Sequence, residues 1–129
     1  MRCGPLHLGR GAGDERGLCH CTHCQRQSGS AFSMIVGIPK GSLRLTGIPM
    51  TVFSDSSESG LPVIRKFCPR CGSPVLSEVG ATPQVDWVKA GTLDDPSWFT
   101  PQVYLWCESA QPWISMIDGV PQLPRNPPS

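Results

Sequence analysis

The chain has 129 residues, with 11 Lys+Arg against 10 Asp+Glu and a formal charge of +1. No basic excess is present to neutralise a phosphate backbone, which argues against a general nucleic-acid binder. A charged content of 16% argues against charge-driven disorder. Glycine and proline together make up about 22% of the chain, a density that opposes long helices and favours short strands joined by turns. The length fits one domain. The longest apolar stretch, 34–38, falls far short of the ~20 residues that span a bilayer. The opening Met1-Arg2-Cys3-Gly4-Pro5 carries no apolar signal segment. A soluble, cytoplasmic protein is expected.

In chain order, residues 1–18 are glycine-rich and weakly patterned, and predict a ragged opening or an irregular strand. Residues 19–29 are polar and slightly helix-prone, enough for one or two helical turns. The apolar run 31–38 stops at Pro39-Lys40-Gly41. Short strands are expected over 42–46, 50–54, 63–67, 74–79, 85–90 and 103–107. Asp55-Ser56-Ser57-Glu58-Ser59-Gly60 reads as a loop, because small polar side chains compete for backbone hydrogen bonds. Asp95-Pro96-Ser97-Trp98 has the form of a helix start, with Asp95 as cap and Pro96 in the first helical position. That role explains Asp94 and Asp95 more simply than an acid–base pair does. From 121 onward the chain predicts an extended, proline-rich tail. Six or seven strands, each bounded by Gly or Pro, point to a mainly β domain with short helical turns. Trp87, Trp98, Trp106, Trp113 and Tyr104 are expected in its core.

Seven cysteines in this length stand out: Cys3, Cys19, Cys21, Cys24, Cys68, Cys71 and Cys107. An odd number without a signal segment argues against a secreted disulfide framework and for metal ligation. Isolated Cys107 reads as a small buried hydrophobe. Cys19-His20-Cys21-Thr22-His23-Cys24 is a C-x-C-x-x-C tripod. Three protein ligands leave zinc an open fourth position, which is the mark of a catalytic site. Three thiolates also leave the site net negative, better suited to an incoming thiol than to strong activation of water. Cys68-Pro69-Arg70-Cys71-Gly72 has the form of a zinc knuckle, with Gly72 permitting a positive φ. The knuckle needs partners from elsewhere. A rival pairing joins Cys21, Cys24, Cys68 and Cys71 in one closed site, at the cost of leaving Cys19 without a role. His20, between two ligands on an extended segment, points away from them. His23 is a fourth ligand, a general base or simply a polar neighbour. His7 has no assigned role.

The blocks Cys19 to Phe32, Phe67 to Pro74, Lys89-Ala90-Gly91-Thr92-Leu93-Asp94-Asp95 and Ala110-Gln111-Pro112-Trp113 resemble, in order and spacing, the glutathione-dependent formaldehyde-activating enzyme family, also called the GFA or centromere-protein-V domain. The resemblance runs from about Cys3 to Pro121. It implies a small Mss4-like zinc-binding β domain with two zinc sites. One is a catalytic zinc on Cys19, Cys21 and Cys24. The other is a structural zinc on Cys68, Cys71 and an N-terminal Cys-x-Cys pair. Here Met1-Arg2-Cys3-Gly4 matches only the second cysteine of that pair. The second site is therefore expected to hold three ligands, Cys3, Cys68 and Cys71, and the opening segment to be truncated.

The function expected on this reading is a carbon–sulfur lyase that forms or cleaves a thiol–aldehyde adduct, like S-(hydroxymethyl)glutathione synthase. Glutathione would be its co-substrate, and Arg26 either steers a carboxylate of the thiol or is a surface arginine on a short helix. The alternative is a zinc-stabilised module that binds glutathione or a partner cysteine without catalysis. A third reading, a zinc-ribbon nucleic-acid module, has the charge balance against it.

Overall fold

The computed structural model describes residues 15–43 and 49–127. Cys3, His7 and most of the strand expected over 42–46 lie outside them. Seven strands occur among the described residues: β1 (Glu15–Cys19), β2 (Ser33–Pro39), β3 (Thr51–Asp55), β4 (Val63–Phe67), β5 (Pro74–Val79), β6 (Val85–Lys89) and β7 (Val103–Leu105). They form one sheet in the order β3-β4-β5-β6-β2-β1-β7. The fold is mainly β, as the Gly/Pro spacing implies. Every neighbouring pair is antiparallel except β1 with β7, which is parallel. One helix, α1 (Thr22–Ser28), follows β1 directly.

The sheet has two unlike faces because side chains alternate along each strand. On one face Val36 and Ile38 of β2, Leu76 of β5 and Val88 of β6 form the apolar core, joined by Ala90 and Leu93 beyond β6. The register pairs Val36 with Val88 and Val88 with Leu76, so these residues lie in one cross-strand row. The other face is also covered, but it carries polar groups. Its main row runs Arg65, Ser77, Trp87, Gly37 and Glu15 across β4, β5, β6, β2 and β1. Glycine is required in that row. A Cβ at Gly37 would lie 2.8 Å from the Trp87 ring and 3.0 Å from the Glu15 carboxylate.

Three expectations need correction. The irregular opening does not extend through residue 18, since 15–19 form β1 in full register with β2. Hydrogen-bonded neighbours on both sides satisfy its backbone, and this outweighs its poor local pattern. No helix starts at Asp95-Pro96: Asp95 accepts hydrogen bonds from the Ser97 N–H (3.0 Å) and hydroxyl (2.6 Å), and the chain makes a single turn closed by the Phe99 N–H to the Pro96 carbonyl. Trp113 is not core, being 72% exposed. The tail from 121 runs beside β7, where the Leu123 N–H meets the Tyr104 carbonyl at 2.8 Å.

Candidate metal centre

The β1 strand ends at Cys19 and α1 starts at Thr22, so the three cysteines straddle a strand-to-helix corner. Cys21 is the N-cap of α1. Its Sγ accepts the Cys24 N–H at 3.3 Å, the place a Ser or Asp oxygen normally takes. This cap folds Cys24 back over Cys21, while Cys19 arrives from the strand. The Sγ atoms of Cys19, Cys21 and Cys24 all lie within 4.8 Å of one another. Cys19 and Cys24 are buried, Cys21 half-buried.

The thiols answer one another electrostatically. Hydrogen bonds from Cys19 and then Cys21 hold the Cys24 thiol far below its ordinary value; burial opposes them, and Lys89 and Arg65 add to the lowering. Cys19 is raised in turn by its bonds to Cys21 and Cys24. Cys21 is raised on balance: its bond with Cys19 lowers it, but Cys24 and burial outweigh that. Three soft sulfurs converging in a largely buried corner form a donor set suited to zinc.

Cys68 and Cys71 are not part of this group. The closed pairing of Cys21, Cys24, Cys68 and Cys71 is therefore not what the fold assembles. The knuckle is a separate turn after β4, with the Gly72 N–H bonded to the Cys68 carbonyl at 2.8 Å and Gly72 at φ 76. Cys68 is buried and Cys71 exposed. Cys3 lies outside the described residues. Cys107 is half-buried in a short 3₁₀ turn, with its thiol near the Tyr104 carbonyl at 3.5 Å.

His20 turns away from the trio, as alternation predicts. Its ring is fully buried and packs edge-on against Phe32 at 5.5 Å, with the Ala31 backbone as its polar neighbour. Burial lowers its pKa. His23 has a carboxylate partner that the sequence did not suggest: its Nδ1 lies 3.2 Å from Asp55 at the end of β3. Asp55 also receives the Arg65 Nε–H at 2.9 Å, and so links the helix to the polar face. Arg26 sits exposed in the last turn of α1.

Four further elements of the site escaped the sequence reading. Lys89 is buried and donates from Nζ to the Ser33 hydroxyl at 2.9 Å. Trp87 and Trp106 pack against the cluster of Cys19, Cys24 and Ile35. Trp106 adopts a left-handed backbone (φ 58), uncommon for a bulky residue. Its indole N–H donates to Asn126 at 2.9 Å, and the Arg125 guanidinium lies 5.4 Å from the ring centroid. Gln25 ties α1 to the rest: its amide donates to the His20 carbonyl (2.7 Å) and the Ser109 carbonyl (3.0 Å) and accepts from Gln111 at 2.8 Å. The one available signal was a lysine inside a strand whose neighbours are Trp87 and Val88.

Among the described residues, no helix is long and apolar enough to cross a membrane. The family profile described as glutathione-dependent formaldehyde-activating enzyme (GFA) matches residues 3–109. No curated protein matches the chain. Among solved structures, a Rhodobacter sphaeroides protein determined by structural genomics is similar, with a TM-score of 0.50 and 17% identity over 70% of this chain and 76% of that one. At that identity the likeness concerns the fold alone.

Proposed function

The chain belongs to the glutathione-dependent formaldehyde-activating enzyme family, and on that premise we propose that it is a zinc-dependent carbon–sulfur lyase that joins a thiol, glutathione or a close analogue, to formaldehyde or another small aldehyde. The observation that carries this reading is the convergence of Cys19, Cys21 and Cys24 to within 4.8 Å at a capped corner. These three residues would hold the metal. Zinc bound there would supply an open position at which a thiol gives up its proton near neutral pH.

The chain's own groups serve the rest of the chemistry. The reaction forms one sulfur–carbon bond. The carbonyl π pair moves to oxygen, which takes up the proton that the thiol released. Trp106 and Trp87 pack against the cluster of Cys19, Cys24 and Ile35 and so limit water around it. Arg26, exposed on α1 two residues after Cys24, is in our proposal the group that steers a carboxylate of the thiol. None of the six cysteines among the described residues forms a disulfide.

For the knuckle we propose a second, structural zinc held by Cys68, Cys71 and Cys3, weakly because a fourth thiolate is missing from that set.

The test is metal content and turnover together. Wild-type protein should retain the trio's zinc, and Cys21→Ser should lose it along with any rate of glutathione–formaldehyde adduct formation above the uncatalysed background. With cobalt substituted, glutathione should change the absorption spectrum and S-methylglutathione should not. A spectral response without a rate above background would instead establish a thiol-binding module. Full activity in metal-free Cys21→Ser would overturn the proposal.

A further inference from the structure

Beside the three cysteines the polar face holds two cations, and their charges are answered differently. Arg65, 5% exposed, is paired with Asp55 at 2.9 Å. Lys89, 7% exposed, makes no ion pair with a carboxylate among the described residues. Its one polar contact there is the Ser33 hydroxyl at 2.9 Å. Ser33 is the direct cross-strand partner of Cys19, and Lys89 is the cross-strand partner of Ile35 on the same face. The ammonium is thus anchored one side chain away from the cysteine corner. A buried cation without an anion is costly. Burial lowers the Lys89 pKa and the Arg65 charge adds to this, while the charges of the Cys24, Cys19 and Cys21 sulfurs oppose it.

We propose that Lys89 is the fixed counter-charge of the cysteine centre. It is a positioning residue whose ammonium offsets the negative charge of the three cysteines once they have exchanged their protons for a metal ion. The inference rests on the reading that the trio binds metal. It goes further by making Lys89 a determinant of how tightly, and for which ionic charge, the centre binds.

The charge arithmetic supplies a signature that packing alone does not produce. Three thiolates with a divalent ion carry a net charge of −1, and with monovalent copper(I) a net charge of −2, so the two loaded forms differ by one unit of charge whatever the protonation of the metal-free cysteines. A nearby ammonium therefore favours the copper(I) form more than the zinc form.

The experiment measures zinc(II) and copper(I) affinities by chelator competition under anaerobic conditions. It uses the full chain as wild type, Lys89→Met, Lys89→Arg and Cys21→Ser, with circular dichroism to confirm the fold. Lys89→Met should weaken copper(I) more than zinc, by on the order of tenfold. Lys89→Arg should restore both to within about threefold. Lys89→Gln replaces Lys89→Met if the latter does not fold. Unchanged affinities in the neutral variant, or equal losses for the two ions, would overturn the role of Lys89 while leaving the metal centre standing. Equal zinc binding by wild type and Cys21→Ser would overturn the metal reading itself, and the inference with it.

Discussion

In the central strands the two faces of the sheet are both largely buried and are built for different ends. On one, Val36, Ile38, Leu76 and Val88 exclude water and contribute stability through apolar area. On the other, Arg65, Ser77, Ser33 and Lys89 are equally hidden and surround the corner that ends in three cysteines. Burial there contributes less, because each polar group must find a partner or remain unsatisfied, as the Ser77 hydroxyl does. The contrast teaches that in this fold stability and chemistry occupy opposite sides of the same strands, so β2 and β6 serve both. Changes on the two sides should therefore separate cleanly.

The largest effect on stability is expected from the apolar side. Ile38→Ala removes a side chain only 2% exposed in the middle of the core, and should cost about 2–5 kcal/mol. Metal stoichiometry measured below the melting transition should stay at the wild-type value. Loss of the trio's metal in a folded Ile38→Ala protein would break the separation of the faces.

An intermediate effect is expected from Asp55, which joins β3, β4 and α1. Burial alone would raise its pKa, but the Arg65 hydrogen bond, the Ser56 N–H and the charges of Arg65 and His23 more than reverse this, leaving it below the usual carboxylate range. A depressed folded-state pKa contributes stability that is fully present above the unfolded value of about 3.9. That contribution is lost as pH falls through the folded value. Asp55→Asn should cost about 1–3 kcal/mol at neutral pH by leaving the buried Arg65 without its anion. The gap between wild type and variant in urea melts should close as pH drops below about 4. A gap that is constant with pH would mean that Asp55 acts through packing.

Local features were the legible ones. The strand at Pro74–Val79 has the bounds its flanking Gly and Pro residues imply. The approach of Cys19, Cys21 and Cys24 follows from five consecutive steps of chain with a cap at Cys21. The Asp55–His23, Lys89–Ser33 and Gln111–Gln25 contacts were not legible, because they join residues 32, 56 and 86 positions apart. They depend on the strand order, in which β2 sits between β6 and β1 rather than beside β3. Nor does alternation reveal a polar face when both faces of the central strands are covered. The aromatic residues show the same limit: Tyr104 is core at 2% exposure, while Trp113 is not.

The smallest effect sharpens the comparison at the rim of the polar face, within Ala110-Gln111-Pro112-Trp113. The tryptophan is the conspicuous residue of that block, yet it is 72% exposed, and removing it takes little apolar surface back into water. Trp113→Ala should change stability by no more than about 0.5 kcal/mol. Gln111 is the connected residue. Its amide donates to the Gln25 side chain at 2.8 Å, and Gln25 in turn bonds the His20 and Ser109 carbonyls on either side of the cysteine corner. Gln111→Ala should cost about 1 kcal/mol. Because α1 carries Cys24, it should also speed alkylation of the metal-free cysteines more than Trp113→Ala does. Thermal melts and iodoacetamide kinetics on the two variants decide between them. A larger loss from Trp113→Ala would place the block's contribution in apolar contact and not in the amide chain that braces the helix.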